Sequence, residues 1–217
     1  MQVNLVSITK PSDSLPFDTA EDLIAYCARV SNPSNQMNSA TAPKLLNYLI
    51  KHKHWSPFEM VDMCVEIKTS RAIAAQILRH RSFSFQEFSQ RYSNATKLEP
   101  IEWRKQGKTN RQVGDDEILL DKEAQEAIDD LMETGLQVYD SLVELGVAKE
   151  CARMILPLCT ETTMYMKGSI RSWIHYIQIR AAQDTQKEHR LIAEEIKNIF
   201  SENFPNIVQA LNLNQNG

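Results

Sequence analysis

The sequence predicts an α+β fold: a helix-rich single domain with a small central β-sheet flanked by long helices, and no Rossmann fold. Three observations carry this expectation. Long segments repeat apolar residues three and four apart, the period of one helix face. Short, separated segments alternate them instead, the period of a half-buried strand. Glycine is scarce, with 6 in 217 residues and none before Gly107. A Rossmann fingerprint or a Walker loop needs glycines where backbone approaches phosphate. Neither can be built here, so any nucleotide must be gripped by side chains and helix N-termini.

The elements follow in order. Val3 to Thr9 has the β-branched content of an opening strand. Thr19 followed by Asp22 reads as a helix start, with Leu23, Ile24, Cys27 and Val30 at helical spacing. A polar stretch from Ser31 to Ser39 separates this from a second helix carrying Leu45, Leu46, Leu49 and Ile50. Residues 61–69 alternate, with Val61, Met63, Val65 and Ile67 on one face and Asp62, Glu66 and Lys68 on the other. Ser70 is expected to cap a helix whose Ile73, Ile77 and His80 share one stripe. Residues 93–116, polar and containing Pro100, Gly107 and Gly114, read as a long loop. From Glu117 to Leu145 apolar residues recur as on a long amphipathic helix closed by Gly146. A helix from about Ala148 stops before Pro157. A strand from Thr162 to Met166 leads through Gly168 into a helix from about Ser169 to Ala181. Thr185 and Glu188 form a capping box for a last long helix with Ile192, Ile196, Ile199 and Phe200 inward.

Charged residues at 24% and hydrophobic residues at 42% exclude a chain disordered as a whole. The length fits one domain over 1–217. No apolar run approaches the roughly 18 residues of a membrane span. Met1-Gln2-Val3-Asn4 lacks the basic head and apolar core of a signal peptide, so a cytoplasmic location is expected. Cys27, Cys64, Cys151 and Cys159 contain no CxxC pair and no zinc-like spacing; no metal site is expected. The net charge of −4 is uneven. Arg79 to Arg111 holds eight Lys and Arg against three acids, whereas Asp115 to Glu133 holds nine acids and one lysine. The acidic run reads as the solvated face of the long helix.

Chemistry concentrates in three segments. Arg79 to Tyr92 reads RHRSFSFQEFSQRY. On a regular strand Glu87, Ser89 and Arg91 share one face. Phe83 and Phe85 fall on the opposite parity from Phe88 and Tyr92, which predicts a bulge or turn near Gln86. Guanidinium forks, hydroxyls, a carboxylate and rings together suit a phosphorylated planar ligand. A single-stranded nucleic-acid-binding module would use the same stretch, stacking bases on Phe83, Phe85 and Phe88. Against that alternative stand the negative net charge and the adjoining acidic helix. In the second segment, Gly168 to Arg180, the side chains Arg171, His175 and Gln178 make a polar helix face. Arg180 falls beside Trp173, at the margin of the apolar face, with no partner acid in its own helix. A half-sunk guanidinium must find an anion, from elsewhere in the chain or from a ligand. Arg153 is similarly placed. The third segment, His52 to Glu59, offers His54, Ser56 and Glu59 to a pocket.

Arg79-His80-Arg81 followed after seven residues by Ser89 resembles the hallmark of the flavin-dependent, or alternative, thymidylate synthases. Ala28-Arg29-Val30-Ser31, the His54 to Glu59 segment, Ala152-Arg153 ahead of Leu156-Pro157, and the Ile170 to Arg180 helix are similar to family segments as well. The resemblance runs from about Ala20 to Tyr92 and from Ala148 to Phe204. It implies FAD as cofactor, with dUMP, methylenetetrahydrofolate and NADPH as small-molecule partners. It also implies a homotetramer with active sites shared between subunits, and neither nucleic acid nor membrane as partner. Carried over residue by residue, the flavin positions are Ser31, His54, Ser56, Glu59, Arg79, His80, Arg81, Gln86, Glu87, Ser169, Ile170, Arg171 and His175. The dUMP positions are Gln76, Arg79, Glu87, Phe88, Ser89, Gln90, Arg91, Arg153 and Arg180, and Arg180 corresponds to the arginine that polarises the uracil at N3. Gln86 and Gln90 stand where members often carry Asn and Gly, His175 where others carry Asn, and Asp184 where some carry His. The ordinary thymidylate synthase needs a cysteine nucleophile, and no cysteine here has a suitable setting.

Overall fold

The computed structural model describes residues 1–92, 97–108, 110–111 and 113–213. Its centre is a four-stranded antiparallel sheet made of β1 (Gln2–Ile8), β2 (Asp62–Ser70), β3 (Ser84–Glu87) and β6 (Glu161–Ser169), in the order β1-β2-β6-β3. β2 and β6 pair along their whole length, from Asp62 opposite Ser169 to Ser70 opposite Glu161. The alternation in β2 is realised: Val61, Met63, Val65 and Ile67 are fully buried, with Met164 and Met166 of β6 beside them. The opposite face is polar, where Lys167 pairs with Asp62 at 2.9 Å and the Tyr165 hydroxyl donates to Glu66 at 3.1 Å. One face buried and one wet is the ordinary condition of an antiparallel sheet.

Three helices cover the apolar face: α3 (Arg71–Ile77), α6 (Ile170–Arg180) and α7 (Lys187–Asn203). Trp173 of α6 is buried at the middle of this layer, its indole N–H donating to the Met63 carbonyl at 2.9 Å. Gly168 closes the packing. A Cβ there would lie 2.5 Å from the Phe83 ring, which sits 4.6 Å from Trp173 between ring centroids. A second cluster joins α1 (Ala20–Ala28), α2 (Ala42–Lys51) and α8 (Pro205–Leu211). The buried Glu21 carboxylate accepts from the Ile207 N–H at 2.8 Å and the Asn206 amide at 2.6 Å, so α1 caps α8. Thr19 caps α1 as expected, accepting from the Asp22 N–H. Arg29 donates to the Asn38 carbonyl and the Thr41 hydroxyl, which ties down the polar 31–39 stretch.

Several expectations are corrected. The Ser70 side chain makes no capping bond; β2 runs through Ser70, whose N–H donates to Glu99. α3 ends at Ile77, so His80 lies beyond it, although its ring still turns inward onto Tyr176. The loop expected at 93–116 contains a hairpin of β4 (Arg104–Gln106) and β5 (Gly114–Glu117); Ser93 to Thr96, Thr109 and Gln112 lie outside the described residues. β5 therefore delays the long helix, α4 (Lys122–Glu144), which Asp121 caps. Gly146 does close it, at φ +82, where a side chain would be strained. The helix before Pro157 is only α5 (Lys149–Ala152) and a 3-10 turn over Arg153–Ile155. β6 is longer than the expected 162–166. Thr185 does not cap α7: its hydroxyl donates back to the Ile179 carbonyl at 3.1 Å, and Gln186 takes the cap position.

Candidate active site

β6 and α6 build the site because the chain passes from strand to helix at Ser169 without a loop. Ser169 caps α6, its hydroxyl accepting from the Ser172 N–H. The α6 N-terminus thus opens onto a cavity of about 830 Å³ bounded by Trp55, Glu59, Ser82, Ser84, Lys167, Arg171 and His175, among others. The positive end of the helix, with Arg171 and Lys167 beside it, suits an anion such as a phosphate. Arg171 meets Glu59 at 2.8 Å, so two expected flavin residues form one wall.

Arg180, one helix length away, is half-buried and finds no acid among the described residues. Its Nε donates to His80 Nε2 at 2.9 Å, and neither Nη has an ion-pair partner among the described residues. Because arginine only donates, His80 Nε2 must be the bare nitrogen of a neutral ring. Burial, then the charges of Arg180 and His175, bring the His80 pKa down to about 4. His189 of α7, fully buried and sharing a 3.1 Å hydrogen bond with the Tyr176 hydroxyl, is brought down to about 3 by burial, then by Arg180 and His80. The unfolded chain takes up protons on both rings below pH about 6.5, where the native state does not. Stability is therefore expected to fall as pH drops from about 6.5 towards 4, and His189→Gln should flatten that fall. Melting midpoints between pH 7 and 4.5 check this, with an unchanged slope in the variant counting against it.

Other expected site residues divide. Arg79 and Arg81 flank His80 on the exposed turn after α3, and Arg91 and Arg153 also lack acid partners among the described residues. Arg79, Arg81 and Arg91 are exposed and cost little unpaired, whereas Arg153 and Arg180 are half-buried, where a guanidinium without an anion is costlier. Glu87, by contrast, is engaged within the chain, accepting from Thr162 at 2.9 Å and pairing with Arg71 at 3.2 Å. β3 stays regular through Gln86 and ends at Glu87, so the expected bulge is absent and the turn comes later. Ser89 and Arg91 lie in that turn, where the Ser89 hydroxyl accepts from the Arg91 N–H, rather than on a strand face with Glu87. Phe83 and Phe85 pack inward and leave Phe88 and Tyr92 exposed, which dismantles the aromatic stacking platform of the nucleic-acid alternative. Gln90 is buried, and its amide nitrogen has no partner among the described residues. The Ile170 side chain is buried in the core and does not line the cavity. Ser31 lines a different cavity of about 440 Å³ with Asn32, Lys44 and Tyr48. His54 touches Tyr48 edge-on and stands outside the main cavity, as does Ser56. Sequence reasoning missed Trp55, Lys167 and Ser172 as lining residues; the alternation of β6 was a usable signal only for Lys167.

Fold and site define a class: an α+β protein that offers arginines without acid partners among the described residues and a capped helix start, instead of a glycine-rich loop, to an anionic ligand. The family profile described as "Thymidylate synthase complementing protein" matches residues 15–206, and the chain belongs to this family. It is 51% identical over 214 residues to a probable flavin-dependent thymidylate synthase of Paramecium bursaria Chlorella virus 1, covering 97% of this chain and 99% of that one. It is 52% identical over 216 residues to the flavin-dependent thymidylate synthase of Synechocystis sp., with 97% and 99% covered. The fold is also that of a UMP/dUMP methylase, PolB from Streptomyces cacaoi, solved with 5-Br dUMP: TM-score 0.77, 22% identity, covering 98% of this chain and 94% of that one. No helix among the described residues is long and apolar enough to cross a membrane.

Proposed function

We infer that the chain is a flavin-dependent thymidylate synthase, converting dUMP to dTMP with methylenetetrahydrofolate as carbon donor and NADPH as reductant through FAD. The observation that carries this is Arg180, charged, half-buried, without an acid partner among the described residues and held by a neutral histidine at 2.9 Å. The donor set fits FAD: Ser169, Arg171 and the α6 N-terminus suit its phosphates, and Trp55, Glu59 and His175 border the same cavity. Bound FAD supplies hydride transfer, which relieves the protein of the need for a cysteine nucleophile. Arg180 does the rest of the activation. Polarising or ionising uracil N3 spreads negative charge onto O2 and O4, and a fixed guanidinium in a partly desolvated setting stabilises that charge most where it develops. His80 orients Arg180 without competing for its charge, since it accepts as a neutral ring. Arg79, Arg81, Arg91 and Arg153 are left to bind phosphate.

The chain acts as one catalytic domain over 1–217 within a homotetramer. Two features support that assembly. Ser31 sits in a cavity apart from the other flavin residues. α4 exposes the apolar side chains of Leu131 and Val138, and Leu145 just beyond it is exposed as well. Four free cysteines fit a reducing, cytoplasmic setting. Purified protein is expected to release an equimolar amount of FAD on denaturation, to form dTMP from the three substrates, and to scatter light as four chains. A colourless protein that takes up no FAD in titration overturns the reading.

A further inference from the structure

Gln76 of α3 is joined to the start of α7 by a chain of side-chain hydrogen bonds. Its Nε2 donates to Gln186 Oε1 at 2.7 Å, Gln186 Nε2 donates to Glu188 Oε2 at 2.9 Å, and Glu188 Oε1 accepts from Arg104 Nη2 at 2.5 Å. Arg104 is anchored in turn by Glu102 at 3.2 Å, which also takes Lys187 Nζ. The direction of every bond is dictated by the ends. A guanidinium only donates and a carboxylate only accepts. Burial works against the Glu188 charge, yet bonds from Arg104 and Gln186 hold its carboxyl below the usual range. Gln186 must therefore turn its NH₂ to Glu188 and its carbonyl to Gln76. Gln76 must then commit an N–H to Gln186, which turns its one acceptor, Oε1, to the other end.

We propose that Gln186 and Glu188 are positioning residues that set Gln76 as a hydrogen-bond acceptor towards the pyrimidine nucleotide, so that the site selects for an N–H or O–H donor at that point. This rests on Gln76 being a dUMP-binding residue. dUMP has two such donors, the uracil N3–H and the sugar hydroxyl.

The polarity can be reversed and restored. In Glu188→Gln, Arg104 claims the new amide oxygen, so the new NH₂ faces Gln186. Each amide must then turn round, and Gln76 presents NH₂ to a donor. The dUMP dissociation constant of the FAD-loaded protein, measured by calorimetry, should rise about tenfold, the scale of one mispaired polar group. Adding Gln186→Glu puts a carboxylate next to Gln76, lets the new amide at position 188 donate to it and restores the original direction at unchanged net charge. Binding should return to within about twofold of wild type, although two sites are now altered. Arg104→Leu removes the ion pair but leaves the direction set by Glu188, and should also stay within about twofold. The proposal is overturned if Glu188→Gln binds as wild type, if the double variant binds no better than the single, or if Arg104→Leu is as weak as Glu188→Gln. Wild-type protein that binds dUMP but makes no dTMP overturns the function, and the binding series still decides the relay. Wild-type protein that binds no dUMP overturns both.

Discussion

Arg180→Lys is expected to lower dTMP formation by about 10²-fold or more, the scale of losing one donor aimed at developing negative charge. Bound FAD and NADPH oxidation should be retained, because Arg180 is absent from the lining of the helix-capped cavity. Lysine keeps the charge and loses the planar fork. Arg180 commits Nε to His80 and has both Nη groups left for one ligand edge. An ammonium that met His80 would have no rigid second pair of donors to offer. Rates of dTMP production and of NADPH consumption, measured on the same preparation, separate the two activities. Equal losses in both would place Arg180 in general binding instead.

Trp173→Ala should destabilise the fold by about 3 to 5 kcal/mol, the range for removing a large aromatic from a close-packed core. Trp173 is fully buried, contacts Phe83 at 4.6 Å and Tyr176 at 5.8 Å between ring centroids, and donates to Met63. Its loss opens space under Gly168 and under the His80–Tyr176 contact, so the site loosens together with the core. Trp173→Phe keeps most of the packing and gives up the N–H bond, for about 1 kcal/mol. Urea unfolding at fixed protein and FAD concentration checks both values. Variants of equal stability would mean that the indole bond, not the packing, carries the effect.

Local periodicity made the sheet core and the long helices legible. The alternation of Val61, Met63, Val65 and Ile67 needs only the two-residue repeat of a strand, and all four are buried. Arg180 was legible as a cation without a partner because α6 offers no acid at helical spacing. What lay beyond the sequence was set by contacts far apart in the chain. Thr185 carries a capping signature, yet Ile179 captures its hydroxyl. Ser70 carries another, yet the β2–β6 ladder extends through it and Glu99 takes its N–H. Ser89 and Arg91 were assigned a strand parity, but pairing with β6 stops at Glu87 opposite Met164. The His80–Arg180 contact spans 100 residues, and no local pattern announces it. Ser31 matched a family motif in sequence but occupies a separate cavity within one chain.

The central claim is that a fixed guanidinium, and not a cysteine thiolate, activates the uracil. Burial raises the thiol pKa of Cys27, Cys64 and Cys159, and no cysteine lines the main cavity. The direct test is tritium release from 5-labelled dUMP by the FAD-loaded protein, by Arg180→Lys and by the four single Cys→Ser variants. Release should fall by about 10²-fold in Arg180→Lys. It should stay within about tenfold of wild type in each cysteine variant, where small packing losses act on stability first. Normal release by Arg180→Lys, or abolished release in one cysteine variant alone, would contradict the account.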